Sequence, residues 1–325
     1  MCIMENEIIL SIIIPFYNVE DYFERCLKSI VSQKVSPEQF EIIAINDGST
    51  DGSLEIAERI AGQQSNMVVV SQENKGQSAA RNHGVKLAHG KYIWYVDSDD
   101  WIEEDCLSEI LPLLKDSICE LYSFGHKNWF DGEIKVTPPS IDKVSLLCVE
   151  YFYKRSFLLE QNLWFIEGIY HEDFEYCARV NFLVKKKECI RLTPYIIYKR
   201  PNSTTTGYNP KKAFDLLVAA RSLANFSQLH HIKSANFACL IALALNNSLQ
   251  NVHMFNMDKE SESRLNRAFY SNRDLFKYLW KSEVIKYKIE YLLFTVFDRH
   301  CVQVFKFMKL FNYRDFSQYK QVNNH

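Results

Sequence analysis

Four apolar runs of strand length, each separated from the next by an amphipathic segment, constrain this chain more than any other feature. Ile8 to Phe16, Phe40 to Asn46, Met67 to Ser71 and Tyr92 to Asp97 are continuous stretches rich in Ile, Val and aromatic residues. Unbroken apolar runs, rather than alternating ones, are expected of strands covered on both faces. Between them, Phe23, Cys26, Leu27, Ile30 and Val31 recur at helical spacing with Asn18 as a candidate N-cap. Ser53 to Ala61, Ser78 to Ala88 and Glu103 to Leu114 supply three more helices. Strand and helix therefore alternate, which predicts an α/β fold with a mostly parallel, twisted sheet. Ligands of such sheets bind beyond the carboxyl ends of the strands.

From Cys119 to Arg200 the pattern is less regular. It reads as a strand at Cys119 to Gly125, a turn at Asp131-Gly132, helices over Val144 to Leu159 and Glu172 to Leu183, and a strand at Tyr195 to Lys199. After the turn-forming stretch RPNSTTTGYNP the chain reads as helical, with almost no Gly or Pro. The expected division is a catalytic-type α/β domain over 1–208 and a helical C-terminal region over 209–325. Charge divides at the same place: 21 basic against 31 acidic residues up to Tyr208, and 17 against 9 beyond it. The formal net charge of −2 argues against a nucleic-acid binder built on one strongly basic domain. Nine cysteines, odd in number and without a C-x-x-C pair, argue against a zinc site or a disulfide framework and fit a reducing cytoplasm. Acidic residues near Met1 do not fit an export signal. The uncharged stretch Ser234 to Met257 carries Asn and Gln throughout and reads as a buried helix rather than a membrane span.

Three polar clusters sit where the parallel strands end: PFYN (Pro15, Phe16, Tyr17, Asn18), NDGSTD (Asn46 to Asp51) and VDSDDW (Val96 to Trp101). Any one of them is explained by turn and cap chemistry. Together they would bring Asp47, Asp97 and Asp99 to one crevice. Converging carboxylates need neutralising, and Mg²⁺ or Mn²⁺ bound through one or two carboxylates and substrate phosphates does this. Asp99 is a candidate to reach such a metal while Asp97 reaches a ribose. Asp100 is a candidate second ligand, or an N-cap for the helix expected near Glu103. A fourth cluster, ENKGQSAARNHG (Glu73 to Gly84), follows the third strand; Gly76 and the small Ser78, Ala79 and Ala80 would let backbone approach a ligand, with Lys75 and Arg81 facing a diphosphate. Neither G-x-G-x-x-G nor G-x-x-x-x-G-K-[ST] occurs.

In combination, SIIIPFYNVEDYFERCLKSIVSQ, EIIAINDGSTDGS, NKGQSAARNHG and YIWYVDSDDW resemble the N-terminal half of inverting family 2 glycosyltransferases of the GT-A fold. The resemblance is close from Ile8 to about Leu114 and looser to Thr205. It implies a nucleotide-sugar donor, a UDP-sugar in particular, a divalent metal (Mn²⁺ or Mg²⁺) at the D-x-D motif, and inversion at the anomeric carbon. Carried over by position, Pro15, Tyr17 and Asn18 would line the nucleoside pocket and Asp47 would contact the base. Asp97, within the stretch that includes Ser98, would contact the ribose or the metal, and Asp99 the metal and diphosphate. His171-Glu172-Asp173 resembles the family's E-D motif, which makes Asp173 the expected base for the acceptor hydroxyl, with Glu172 the alternate or an acceptor-orienting group. His171 is a further candidate metal ligand. YIIYKRPNSTTT resembles the segment that follows, where Arg200 and Ser203 would close over the donor phosphates.

Tyr291 to Phe311 reads as one amphipathic helix with Leu293, Val296, Phe297, His300, Cys301, Val304, Met308 and Phe311 on a face, in a segment that from Arg264 onward carries 12 basic and 5 acidic residues. It would lie in an anionic membrane interface, or pack on the α/β domain or a second subunit. The implied role is sugar transfer to a glycan or lipid-linked glycan in surface polysaccharide, exopolysaccharide or lipopolysaccharide synthesis, in the cytoplasm or at the inner face of the membrane. The rivals are a metal-dependent phosphatase using Asp97 as nucleophile and a non-catalytic sugar-nucleotide binding protein.

Overall fold

The computed structural model describes residues 8–140, 144–199, 209–254 and 257–310, which divide between two compact units. One unit holds the chain up to Gly168 together with the stretch that begins at Val180. The other combines Ile169–Arg179 with the helices that follow residue 209.

In the first unit β1 (Leu10–Phe16), α1 (Glu20–Val31), β2 (Phe40–Asn46), α2 (Ser53–Ala61), β3 (Met67–Ser71), α3 (Gln77–Leu87) and β4 (Tyr92–Tyr95) follow in the expected alternation. Next come β5 (Trp101–Ile102), α4 (Cys106–Lys115), β6 (Leu121–Ser123), the hairpin of β7 (His126–Phe130) and β8 (Glu133–Thr137), β9 (Tyr151–Lys154) and α5 (Arg155–Glu160). Helix α6 (Glu172–Leu183) precedes β10 (Lys187–Cys189) and β11 (Tyr195–Tyr198). A seven-stranded sheet runs β10-β6-β9-β4-β1-β2-β3, and a four-stranded sheet runs β5-β11-β7-β8. The ladders among β4, β1, β2 and β3 are all parallel, while β9 is antiparallel to both of its neighbours. The fold is the expected α/β class, a mixed, mostly parallel sheet flanked by helices.

Burial follows position in the sheet. Every residue of β1 and β4 is buried, as central strands under helices on both faces require. The Met67 to Ser71 run departs from that expectation: β3 is the sheet edge, and Val68 is 50% exposed. Helix α3 lies so close to β1 that a Cβ on Gly84 would sit 2.4 Å from the Ile13 side chain. Trp94 fills the core under β9, edge-on to Phe152 and Phe124, and its indole N–H donates to the Val149 carbonyl at 2.9 Å, which removes the cost of burying that donor.

Three expected elements are corrected. The helix read over Val144 to Leu159 resolves into a 3₁₀ turn, strand β9 and the short α5. Tyr153 pairs with Ile93 on one side and Leu121 on the other, so a non-local pairing of strand-favouring aromatics overrides the local helical spacing. The helix expected from Glu103 starts at Cys106, because Trp101 and Ile102 pair with Ile196 and Tyr195 and the Glu103 N–H donates to the Pro194 carbonyl. The single helix expected over Tyr291 to Phe311 breaks into α11 and α12, described next.

In the second unit α7 (Lys211–Leu229) and α8 (Ala235–Met254) pack through Leu216, Ala220, Leu223, Ile241, Ala244, Leu245 and Leu249, all buried. The uncharged stretch from Ser234 is thus a core helix. Beyond them lie α9 (Lys259–Ser271), α10 (Phe276–Lys281), α11 (Ile285–Val296) and α12 (Cys301–Leu310). Between α11 and α12 the chain turns: the Phe297 N–H caps Leu293, the His300 N–H donates to Phe297, and the Val302 N–H finds the Asn266 carboxamide oxygen on α9. The face that is buried is therefore Phe294, Cys301, Val302 and Phe305, while Val296 and Phe297 are exposed. Among the described residues no helix is long and apolar enough to cross a membrane.

Candidate functional site

The β1–β4 ladder ends at Ile13–Tyr95, two residues short of Pro15, which has no N–H to donate. Past that point β1 and β4 no longer pair, and the loops after β1, β2, β3 and β4 all lie at this carboxyl end of the sheet.

The first two loops are laced together. Asn18 is not the N-cap of α1; it adopts φ 48°, its side-chain oxygen accepts the Thr50 N–H at 2.8 Å and its backbone N–H donates to Ser49 Oγ. The α1 amides that need partners are satisfied from the β2–α2 loop instead: Val19 N–H by Ser53 Oγ and Glu20 N–H by Asp51, whose other oxygen accepts the Ser53 N–H. Glu20 returns the exchange by accepting the Gly52 N–H at 2.7 Å. A capping box normally joins residues of one helix; here it joins two. Tyr17 is left 46% exposed at the rim, whereas Phe16 is 2% exposed and packs on Phe23 at 4.4 Å between ring centroids. Pro15 is likewise buried in β1. Phe16 is therefore core, and shapes the site only by supporting the loop.

Asp47 is 3% exposed and its carboxylate accepts three hydrogen bonds: from the Gln72 side chain and the Lys75 N–H, both at 2.9 Å, and from the Gly76 N–H at 2.8 Å. His83 holds Gln72 in turn. Gly76 needs its freedom for conformation rather than space, since φ is +87° and nothing lies within 4 Å of a built Cβ. Ser78, Ala79 and Ala80, expected to admit a ligand, are buried residues of the first turn of α3 instead. Lys75 remains exposed at the rim. Asp47 thus fixes the fourth cluster at the end of β3 through charge-assisted bonds.

The Asp97-Ser98-Asp99-Asp100 turn is braced from three elements. The Asp97 carbonyl accepts the Asp100 N–H and faces the Cys26 thiol on α1, and the Asp99 carbonyl accepts from Arg25 at 3.0 Å. Tyr195 of β11 is the hub: its hydroxyl accepts the Asp97 N–H at 3.0 Å and donates to Asp100 at 2.7 Å, while the Tyr198 N–H donates to the other Asp100 oxygen. Burial pushes the Asp100 carboxyl well above the usual range, and Asp97 and Asp99 add repulsion. Burial likewise raises the Tyr195 phenol, keeping it a donor. Asp100 uses both carboxylate oxygens to anchor the turn, and the position that caps the next helix is Asp105 rather than Asp100. The Asp97 carboxylate accepts from Arg81 at 2.7 Å and Gln77 at 2.8 Å. Arg81 is 1% exposed, so it acts through Asp97 rather than lying open to a diphosphate. Ser98 is buried, and Asp99 is partly exposed.

Tyr195, Gln72, Gln77, His83 and Arg25 are the residues that sequence reasoning missed. Gln72, Gln77 and His83 lie in or beside the fourth motif; Arg25 and Tyr195 lie within SIIIPFYNVEDYFERCLKSIVSQ and YIIYKRPNSTTT, where neither residue was given a task. Among the described residues no group of three or more His, Cys, Asp or Glu forms a metal cage. The two-carboxylate, all-oxygen set of Asp97 and Asp99 fits a hard cation that takes its other ligands from phosphate and water.

In the second unit His171 has φ 61° and leads into the first turn of α6, where Glu172 and Asp173 stand partly exposed. The preceding turn is tied to α7: the Tyr170 N–H donates to Asp215 at 2.8 Å and Asn209 to the Tyr170 hydroxyl at 3.1 Å. Desolvation, with Lys212 nearby, lowers the His171 pKa, which favours its neutral form. Arg200 and Ser203 lie outside the described residues.

A family profile described as glycosyl transferase family 2 matches residues 11–172. An uncharacterized glycosyltransferase of Bacillus subtilis, EpsJ, is 29% identical over 61% of this chain, and a poly(ribitol-phosphate) β-glucosyltransferase of Bacillus spizizenii is 34% identical over 48%. The chain spans 63% of the first relative's length and 26% of the second's. Among solved structures, Staphylococcus aureus TarS residues 1–349 in complex with UDP-GlcNAc superposes with a TM-score of 0.75 at 19% identity, covering 94% of this chain and 93% of that one.

Proposed function

Because residues 11–172 place this chain in glycosyl transferase family 2, we propose that it transfers a sugar from a UDP-sugar to a hydroxyl of a surface glycan, with inversion. What carries the reading is that the four strand-end loops are hydrogen-bonded to one another, with Asp47 and the 97–100 turn held in place by donors from other elements. Such a site is organised before ligand arrives.

In this reading Tyr17, Asn18 and the Asp47-fixed loop receive the nucleoside, and Asp97 and Asp99 receive ribose, diphosphate and a Mn²⁺ or Mg²⁺ ion. The ion would supply Lewis-acid stabilisation of the leaving diphosphate. Arg81 and Gln77 hold Asp97, and Asp173 takes the acceptor proton, assisted by Glu172. Arg200 is assigned to the donor phosphates on the motif alone. TarS, solved with UDP-GlcNAc, supports the choice of a uridine donor, and the poly(ribitol-phosphate) glucosyltransferase supports a cell-envelope acceptor. Action at the inner face of a membrane belongs to the same proposal.

A thermal-shift series with UDP-sugars tests it. At least one should raise the melting temperature in the presence of Mn²⁺ and lose the shift with chelator; a folded sample that responds to none overturns the donor assignment. The phosphatase reading leaves three of the four loops without a task. The non-catalytic reading leaves the Glu172-Asp173 turn without one.

A further inference from the structure

A cleft of about 660 Å³ in the helical unit lies along the seam of α9 and α12 and is lined by Lys259, Arg267, Arg299, His300, Glu262 and Tyr270, among others. Its floor is neutral and satisfied: the Asn266 side chain donates to Gln303 at 2.9 Å and accepts the Val302 N–H at 3.0 Å. The one carboxylate in the lining, Glu262, is paired with Lys306 of α12. Two guanidinium groups, one ammonium and one imidazole therefore share the cleft with no uncompensated anion in its wall. The two arginines are restrained by neutral groups, with Asp298 adding an electrostatic attraction at Arg299. Arg267 donates to Ser263 one turn back on α9, and Arg299 lies over the Tyr270 ring at 5.0 Å. Asp298, beside Arg299, is not part of the lining.

A concave site of this size suits a small ligand segment, and guanidinium forks match the geometry of phosphate oxygens. We propose that this cleft binds a phosphodiester-linked polyol or glycan segment, with Arg267 and Arg299 on the phosphate and Lys259 at the mouth. The concavity favours a chain over a bilayer surface, since the membrane-seeking arrangement is a flat helix face with apolar residues beneath the charges. That the bound chain is the acceptor rests on the transferase reading; that the cleft takes phosphate does not.

The test uses the full chain and a fluorescent six-unit oligo(glycerol phosphate), with an uncharged polyglycerol of the same length and phosphatidylglycerol vesicles as parallel probes. The phosphate oligomer should bind, weaken as salt is raised, and lose about tenfold in affinity in Arg267→Gln/Arg299→Gln. Lys259→Gln/Arg267→Gln, which spares the Arg299–Tyr270 stack, should lose affinity similarly and keeps the test open if the first variant folds poorly. Equal binding by wild type and folded variants, equal binding of the uncharged oligomer, or no binding at all overturns the proposal. Vesicle binding lost in the variants, without oligomer binding, overturns it in favour of a lipid surface. The UDP-sugar thermal shift should be the same in wild type and variants, so its absence would discredit the donor reading and leave the cleft result standing.

Discussion

The strand-end loops and the helical cleft are both charged, but their charges are held in opposite ways. At the strand ends Asp47, Asp97 and Asp100 each accept bonds from another element, and Asp47 takes two of its three from backbone amides. In the cleft the arginines lean on their own helix or on a ring, with their charge turned to solvent. Rigid carboxylates suit a reaction in which charge develops at fixed points; tethered cations suit a ligand that varies in length and conformation. The difference predicts all-or-none losses from changes at the strand ends and graded losses from changes in the cleft.

The sharpest way to break that contrast is Asp99→Ala. Transfer should fall to background, measured as UDP release dependent on acceptor, while circular dichroism and melting temperature stay near wild type. Retained turnover would remove Asp99 from the reaction. Asp173→Asn should follow with a loss of about 10²–10⁴ in kcat and an unchanged donor-induced thermal shift; loss of donor binding instead would make Asp173 a positioning residue. For the helical unit, Leu223→Ala opens a cavity in the α7–α8 core and should cost about 2–5 kcal/mol in denaturant unfolding. A cost below about 1 kcal/mol would show that the core there closes over the gap.

Tyr195→Phe asks how much of the strand-end rigidity rests on one hydroxyl. It removes the acceptor for the part-buried Asp97 N–H and the donor to the buried Asp100 carboxyl, and a buried group left unsatisfied costs about 1–3 kcal/mol. Stability should fall within that range, and kcat should fall with donor affinity largely kept. A stability loss with unchanged kcat would mean that the turn holds its shape without Tyr195.

Why this hydroxyl was invisible in the sequence, when so much of the sheet was not, has a physical answer. The bounds of β2, β3, α2 and α6 were readable because burial on both faces or one helical face writes a local period into the residues. The same logic misread Tyr151 to Lys154, whose strand identity comes from lying between β4 and β6. It also ran the last helix through Phe297, where an elbow lets Val302 reach Asn266. The motif residues were readable as a set because each sits at a strand end. Tyr195 comes from a second sheet almost a hundred residues downstream of Asp97 and Asp100, and no local pattern encodes that meeting. Arg81 and Phe16 show the converse: motif membership marked them, but burial gives them supporting tasks.

The smallest expected effect concerns Asp100 and sharpens the account of how the turn is held. Burial and two neighbouring carboxylates raise its folded pKa, against the donors Tyr198 and Tyr195, while in the unfolded chain it titrates at about 3.9. Above that value the unfolded chain has lost the proton that the folded chain keeps. The contribution of Asp100 to stability is therefore full below about pH 4 and is lost as pH rises through the raised folded value. Asn cannot titrate, so the melting temperature of wild type minus that of Asp100→Asn should decline with pH from about 4 upward. A difference that rises with pH instead would mean that the Tyr198 amide and the Tyr195 hydroxyl stabilise the ionised carboxylate more than burial disfavours it. In that case the turn carries three negative charges at neutral pH, and its demand for a divalent cation is greater than the burial argument allows.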